Sequence, residues 1–152
     1  MQVDDTDRRI LRLMQDDPEA PVAAIAERAG LSAGPCWRRI ERMTRDGVIL
    51  GRQVEIDLAA LGFTVRVFLR ITLDKTAPHA FDAFVAAARA LPEVTAIETL
   101  LGRVDLRMDV VARDLDHYRE IYRDHILALP HIAEIEALML VSELKSTTRL
   151  PL

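Results

Sequence analysis

Apolar residues recur every third or fourth position through the first third of the chain and every second position in several later stretches, which predicts two regions built from different elements. Ile10, Leu11, Leu13 and Met14 mark the apolar side of a first helix over Asp4 to Asp17, capped by an aspartate or Thr6 and ended at Asp17-Pro18. A second helix runs from Val22 to Ala29, with Ile25, Ala26 and Ala29 on one side. Gly30-Leu31-Ser32 forms a turn. A third helix follows, with Ser32 as its N-cap and Pro35 where backbone N–H groups have no intrahelical partner. At about 100° per residue, Cys36, Ile40 and Met43 stack toward a core, whereas Arg38, Glu41, Arg42 and Arg45 project from the opposite side. Arg39 and Trp37 flank the apolar stripe, so Arg39 is partly structural and Trp37 either packs on the first helix or faces outward. Gly47 allows a left-handed closure, after which Val48-Ile49-Leu50 turns extended.

From Thr64 the period becomes two. Val65, Val67, Leu69, Ile71 and Leu73 lie on one face of a strand and Arg66, Phe68, Arg70 and Thr72 on the other. Helical spacing returns at Phe81, Phe84, Ala88 and Leu91 and stops at Pro92. Val94 to Leu101 and Val104 to Ala112 alternate again as a hairpin around Gly102-Arg103. Leu115, Tyr118, Ile121, Tyr122 and Leu129 mark another helix before Pro130, and Ile132 to Val141 is the last strand. The order βαββαβ is the ferredoxin-like arrangement, in which both helices cover one face of a four-stranded sheet. The other face, with Phe68, Ile97 and Val111, is expected to be half apolar and covered by a second subunit.

Composition narrows the reading. With 152 residues, half of them hydrophobic, the chain can hold one core or two small ones. No stretch reaches the roughly 18 uncharged apolar residues that cross a bilayer, and the first residues have neither a basic flank nor an apolar run, so a cytoplasmic protein without membrane attachment is expected. The single cysteine excludes an intrachain disulfide. The net charge of -4 is unevenly spread: between Arg28 and Arg52 six arginines face only Glu41 and Asp46. DNA contact needs such a local cationic face rather than a basic protein.

Two short helices joined by a glycine turn, the second arginine-rich on its outer side, are the grammar of a helix-turn-helix that lays its second helix in the major groove. An amphipathic pair on an ordinary helical bundle has the same spacing. Elsewhere no nucleophile-and-base arrangement and no glycine-rich phosphate loop stands out, so no enzyme, cofactor or metal is expected. His79, His117, His125 and His131 show no recognised ligand spacing, and Cys36 lies on the core stripe as a small buried hydrophobe.

Leu31 to Met43 with Asp46-Gly-Val-Ile, then Gly102-Arg-Val-Asp, then the tail Lys145-Ser-Thr-Thr-Arg-Leu-Pro-Leu, resemble in order three segments of the Lrp/AsnC (feast/famine) transcriptional regulators. The resemblance implies an α+β protein with an N-terminal winged-type helix-turn-helix domain of three helices and a C-terminal ferredoxin-like βαββαβ domain of the RAM type. It implies double-stranded DNA as a partner, contacted from Ser32, Gly34, Trp37, Arg38, Arg39, Arg42 and Arg45. It also implies an amino-acid effector held near Leu101, Gly102, Arg103, Val104 and Asp105, and homodimers that assemble to tetramers or octamers. Gly102 would let backbone N–H groups approach the ligand, and Asp105 would accept from its ammonium group. The chain departs from the family pattern at Arg103, Val104, Leu106 and Asp109, at Gly34, where threonine or serine is usual, and at His131, where glycine is common.

The expected organisation is a DNA-binding domain over residues 1–52, a hinge over 53–62, a ferredoxin-like effector and oligomerisation domain over 63–144, and a tail over 145–152. The expected function is sequence-specific regulation of transcription in response to a small metabolite, namely an amino acid. The alternatives are an effector-independent architectural DNA binder of the nucleoid type and a small ferredoxin-like metabolite-binding module or enzyme.

Overall fold

The computed structural model of the chain describes residues 2–152 and divides into two compact units, one formed by residues 1–55 with 145–152 and the other by 56–144.

In the first unit, α1 (Asp5–Asp16), α2 (Val22–Ala29) and α3 (Ala33–Arg45) close around Ile10, Ile25, Ala26, Ala29, Cys36 and Met43. Asp4 starts α1 with a reciprocal capping box: its carboxylate accepts from the Asp7 backbone N–H at 2.7 Å, and the Asp7 carboxylate accepts from the Asp4 N–H at 3.2 Å. Gly30, with φ of 71°, ends α2, and Arg9 adds its guanidinium to the Ala29 carbonyl at 3.2 Å, where the helix end exposes unpaired carbonyls. Ser32 occupies the N-cap position of α3, but its hydroxyl makes no capping bond. Directly after Gly47, with φ of 75°, Val48-Ile49-Leu50 is not part of a strand; Ile49 instead packs against the helical core. The tail also belongs to this unit: the Gln15 amide brackets the backbone of Leu150, accepting from its N–H at 2.6 Å and donating to its carbonyl at 3.4 Å, and Arg149 pairs with Asp16.

The second unit is a four-stranded antiparallel sheet in the order β2-β3-β1-β4, made of β1 (Val65–Leu73), β2 (Val94–Thr99), β3 (Leu106–Ala112) and β4 (Ile132–Met139). Helices α4 (Ala80–Arg89) and α5 (Leu115–Ile121, widened into a π turn over Tyr122–Ile126) cover one face, burying Val67, Leu69, Ile71, Phe84, Met108 and Ile126. The period-two pattern of β1 is thus a consequence of having one covered face. Two expectations for the other face need correction. Ile97 pairs with Met108 and packs against the helix-covered core, because the β2–β3 register shifts between Val94 and Ala96 and so changes the alternation along β2. The open face is also more charged than apolar: half-buried Phe68 lies under the guanidinium groups of Arg107 at 4.6 Å and Arg66 at 5.9 Å, and Arg66–Glu143, Arg70–Glu136 and Arg107–Glu98 pairs surround it.

Candidate functional site

The outer side of α3 carries Trp37, Arg38 and Arg45, all exposed, with Trp37 at 53 % of its full accessibility. Arg38 has no ion pair or hydrogen bond among the described residues, and its Nη1 lies 3.7 Å from where a Cβ on Gly34 would sit, an ordinary contact distance that a small side chain at 34 would tolerate. Arg45 has only a long pairing with its neighbour Asp46, at 3.6 Å. Ser32 and Gly34 are exposed at the start of the same helix.

Arg39 and Arg42 do something else. Both reach back across α3 to Asp7 of α1, a fully buried carboxylate: Arg39 Nη1 donates to Oδ1 at 2.8 Å and Arg42 Nη2 to Oδ2 at 2.6 Å. Arg39 Nη1 also reaches Asp4 at 2.7 Å. The Asp7 N–H and, after it, Arg39 hold the Asp4 carboxyl below the usual carboxylate range. The expectation that Arg42 projects away from the core is therefore corrected. A helical wheel treats each side chain as a short spoke, whereas the arginine stem is long enough to fold along the helix edge toward a buried charge. Asp7 itself was absent from the expected site. Its signal was present: Asp7, Ile10 and Met14 share one face of α1 at helical spacing, and a carboxylate on a core face needs a cationic partner.

In the second unit a cleft of about 470 Å³ opens between the end of β1, the start of α4 and the β2–β3 connection, lined by Leu73, Lys75, His79, Phe81, Leu100 and Asp105 among others. Of the five expected effector residues only Asp105 lines it. Its carboxylate is already engaged, accepting the Leu73 backbone N–H at 2.9 Å and pairing with Lys75 at 3.3 Å. The Leu73 N–H and then Lys75 keep its acid form below the ordinary carboxylate range. Asp105 thus lines the cleft with one oxygen on the Leu73 N–H and the other beside an exposed lysine, which leaves lone pairs on the carboxylate for a further donor. Leu101, Gly102 and Arg103 are exposed and Val104 is half-buried in the connecting loop. Gly102 lies outside the left-handed region and a Cβ there would meet open space, so its backbone N–H faces no crowding from the rest of the protein. His79 and His131 do adopt left-handed backbone, with φ of 60° and 63°; His79 lines the cleft, and the His131 carbonyl accepts the Asp74 N–H at 2.8 Å.

Two family descriptions match, a winged helix-turn-helix DNA-binding domain over residues 3–49 and the Lrp/AsnC ligand-binding domain over residues 66–150. The chain belongs to the Lrp/AsnC family. Relatives from this family include a glutamate uptake regulatory protein of Zymomonas mobilis, 32 % identical over 99 % of this chain and 91 % of its own. The leucine-responsive regulatory protein of Salmonella typhimurium is 30 % identical over 97 % of this chain and 90 % of its own. Among solved structures, a Neisseria meningitidis transcriptional regulator in complex with L-methionine superposes with a TM-score of 0.92 at 25 % identity, covering 99 % of this chain and 97 % of that one. Escherichia coli AsnC gives a TM-score of 0.89 at 26 % identity, covering 98 % and 99 %. The Lrp/AsnC chain described here is accordingly a DNA-binding transcriptional regulator with a ligand-binding domain, and not an enzyme.

Proposed function

We propose that this Lrp/AsnC protein docks α3 in the major groove through Arg38, Arg45, Trp37 and the Ser32–Gly34 start of the helix, and that it senses an amino acid at the cleft beside the Leu101–Asp105 loop. The observation that carries the reading is the division of labour on α3: Arg38 and Arg45 are exposed, Arg38 without a partner and Arg45 with only a long pairing to Asp46, so they can meet phosphates or base edges at little loss of existing contacts. Relatives named for leucine and glutamate uptake, and one solved with L-methionine, support an amino-acid effector without choosing its side chain. The cleft suits a small zwitterion: Lys75 and Asp105, paired with each other at 3.3 Å, offer a cation for a carboxylate and a carboxylate for an ammonium group, and Phe81, Leu73 and Leu100 offer an apolar wall. The protein acts in the cytoplasm, beside the DNA, as a homodimer that assembles to a tetramer or an octamer, the half-buried Phe68 face being one surface a second copy covers. No cofactor is required beyond the effector. Two-fold assembly implies pseudo-palindromic sites with half-sites about one helical turn apart, or a multiple of it.

The test is a fluorescence anisotropy titration of the DNA upstream of the chain's own gene, repeated over a range of salt and with each common amino acid. Salt-dependent binding whose affinity shifts with one or a few amino acids supports the reading. Binding that no amino acid alters favours the architectural alternative, to which the engaged Asp105 and the altered Arg103-Val104 positions already lend weight. An amino acid shifts DNA affinity only by its differential affinity for the bound and free assemblies.

A further inference from the structure

Asp7 is the single buried charged residue among the described residues, and nothing in DNA docking as set out above makes use of it. Its carboxylate is saturated by the Arg39 and Arg42 guanidinium groups and the Asp4 N–H. Those guanidinium groups are not saturated. Each carries five N–H donors, and Arg42 commits only Nη2; its Nε is buried without a partner, and Nη1 is unpartnered and open to solvent on a side chain that is 38 % exposed. Leaving Asp7 would break the shorter of the two arginine bonds to a buried charge, so Arg42 swings out to DNA at a cost that a free surface arginine does not meet. It is instead held in one conformation before DNA arrives, with one edge of its fork tied inward and the other unoccupied.

We propose that Asp7 is a positioning residue for DNA recognition: through its bonds to Arg42 and Arg39 it fixes α3 on α1 and orders Arg42, so that Arg42 Nη1 meets a backbone phosphate while Nη2 stays on Asp7. This rests on the proposed docking of α3 and goes beyond it by placing a residue of the first helix in control of the contact. Preorganisation is what such an arrangement contributes, since a side chain already ordered loses little further freedom on binding. Charge attraction is not: Asp4, Asp7, Arg39 and Arg42 together carry no net charge.

That neutrality gives the test its sign. Asp7→Asn removes a negative charge, so simple electrostatics makes DNA binding tighter; loss of positioning makes it weaker. Full-length parent, Asp7→Asn, Arg42→Ala and the double variant are titrated against the upstream duplex, at a temperature where Trp37 fluorescence shows every variant folded. The expected result is that Asp7→Asn weakens binding about tenfold, the effect of one charge-assisted hydrogen bond, and that this loss disappears in the Arg42→Ala background. Equal or tighter binding by folded Asp7→Asn, or an undiminished loss in the Arg42→Ala background, overturns the proposal. Should Asp7→Asn fail to fold, Arg42→Lys keeps the charge and one bond to Asp7 but has no second arm; it is expected to bind more weakly than the parent, and unchanged affinity overturns the proposal. If the parent shows no salt-dependent DNA binding, the docking reading fails and this proposal with it, whereas parent binding with an indifferent Asp7→Asn sinks this proposal alone.

Discussion

Replacing Arg42 by alanine separates a structural arginine from an exposed one. The perturbation removes the shortest bond to a carboxylate that has no accessible surface, at 2.6 Å. Removing one partner of a buried ion pair costs about 3–5 kcal/mol. Here Arg39 and the Asp4 N–H stay on Asp7 and Arg42 is itself 38 % exposed, so solvent and the remaining donors recover part of that. A loss of about 2 kcal/mol is the expected figure. For a unit of this size each kcal/mol corresponds to about 4–8 °C, so the helical unit should melt about 8–16 °C lower. Arg38→Ala, at an exposed position with no partner, should stay within about 0.5 kcal/mol of the parent. Trp37, the only tryptophan, lies in this unit, so its fluorescence reports the helical unit's melting apart from that of the sheet. Equal melting temperatures for Arg42→Ala and Arg38→Ala would refute the account of how α3 is held on α1.

Phe84→Ala should lower the stability of the ferredoxin-like unit by about 3–5 kcal/mol in chemical denaturation, because the ring is fully buried between α4 and the sheet; a drop under about 1 kcal/mol would mean that the site collapses freely. Asp105→Ala leaves the Leu73 N–H without its acceptor and should cost about 1–3 kcal/mol and remove any rise in melting temperature produced by an amino acid; an undiminished rise would put the effector elsewhere. Asp4 and Asp105 have acid forms held below the ordinary carboxylate range, so their contribution is complete above that range and fades as pH falls through it toward the folded values. The melting gap between parent and Asp4→Asn, followed by Trp37 fluorescence, should therefore narrow below about pH 4, and a gap that is constant or widens on acidification would contradict the Asp4 contacts.

The elements of this fold were legible because their local signals agree with their packing. Gly30 and Gly47 sit where left-handed backbone closes a helix, Pro92 and Pro130 follow helical segments, and the alternation from Val65 to Leu73 matches a strand with one covered face. The parts read differently from sequence depend on reach and register. Arg42 lies on the outer side of α3 by angle alone, and only the position of Asp7 on the neighbouring helix draws its guanidinium back. Ile97 faces the helices because strand register is fixed by partner strands, and a shift of one residue exchanges the faces. Asp105 lies at the predicted loop, but its engagement by a backbone N–H of β1, far off in sequence, is a tertiary fact with no local trace.

The central claim, that Arg38 and Arg45 are the cations α3 offers to DNA, is tested most directly by the salt dependence of operator affinity. In a log–log titration from low to physiological salt, the Arg38→Ala/Arg45→Ala protein should bind more weakly than the parent, with a slope shallower by about 1–2, roughly one unit for each arginine–phosphate pair removed. A double variant with the parent's affinity and slope would contradict it.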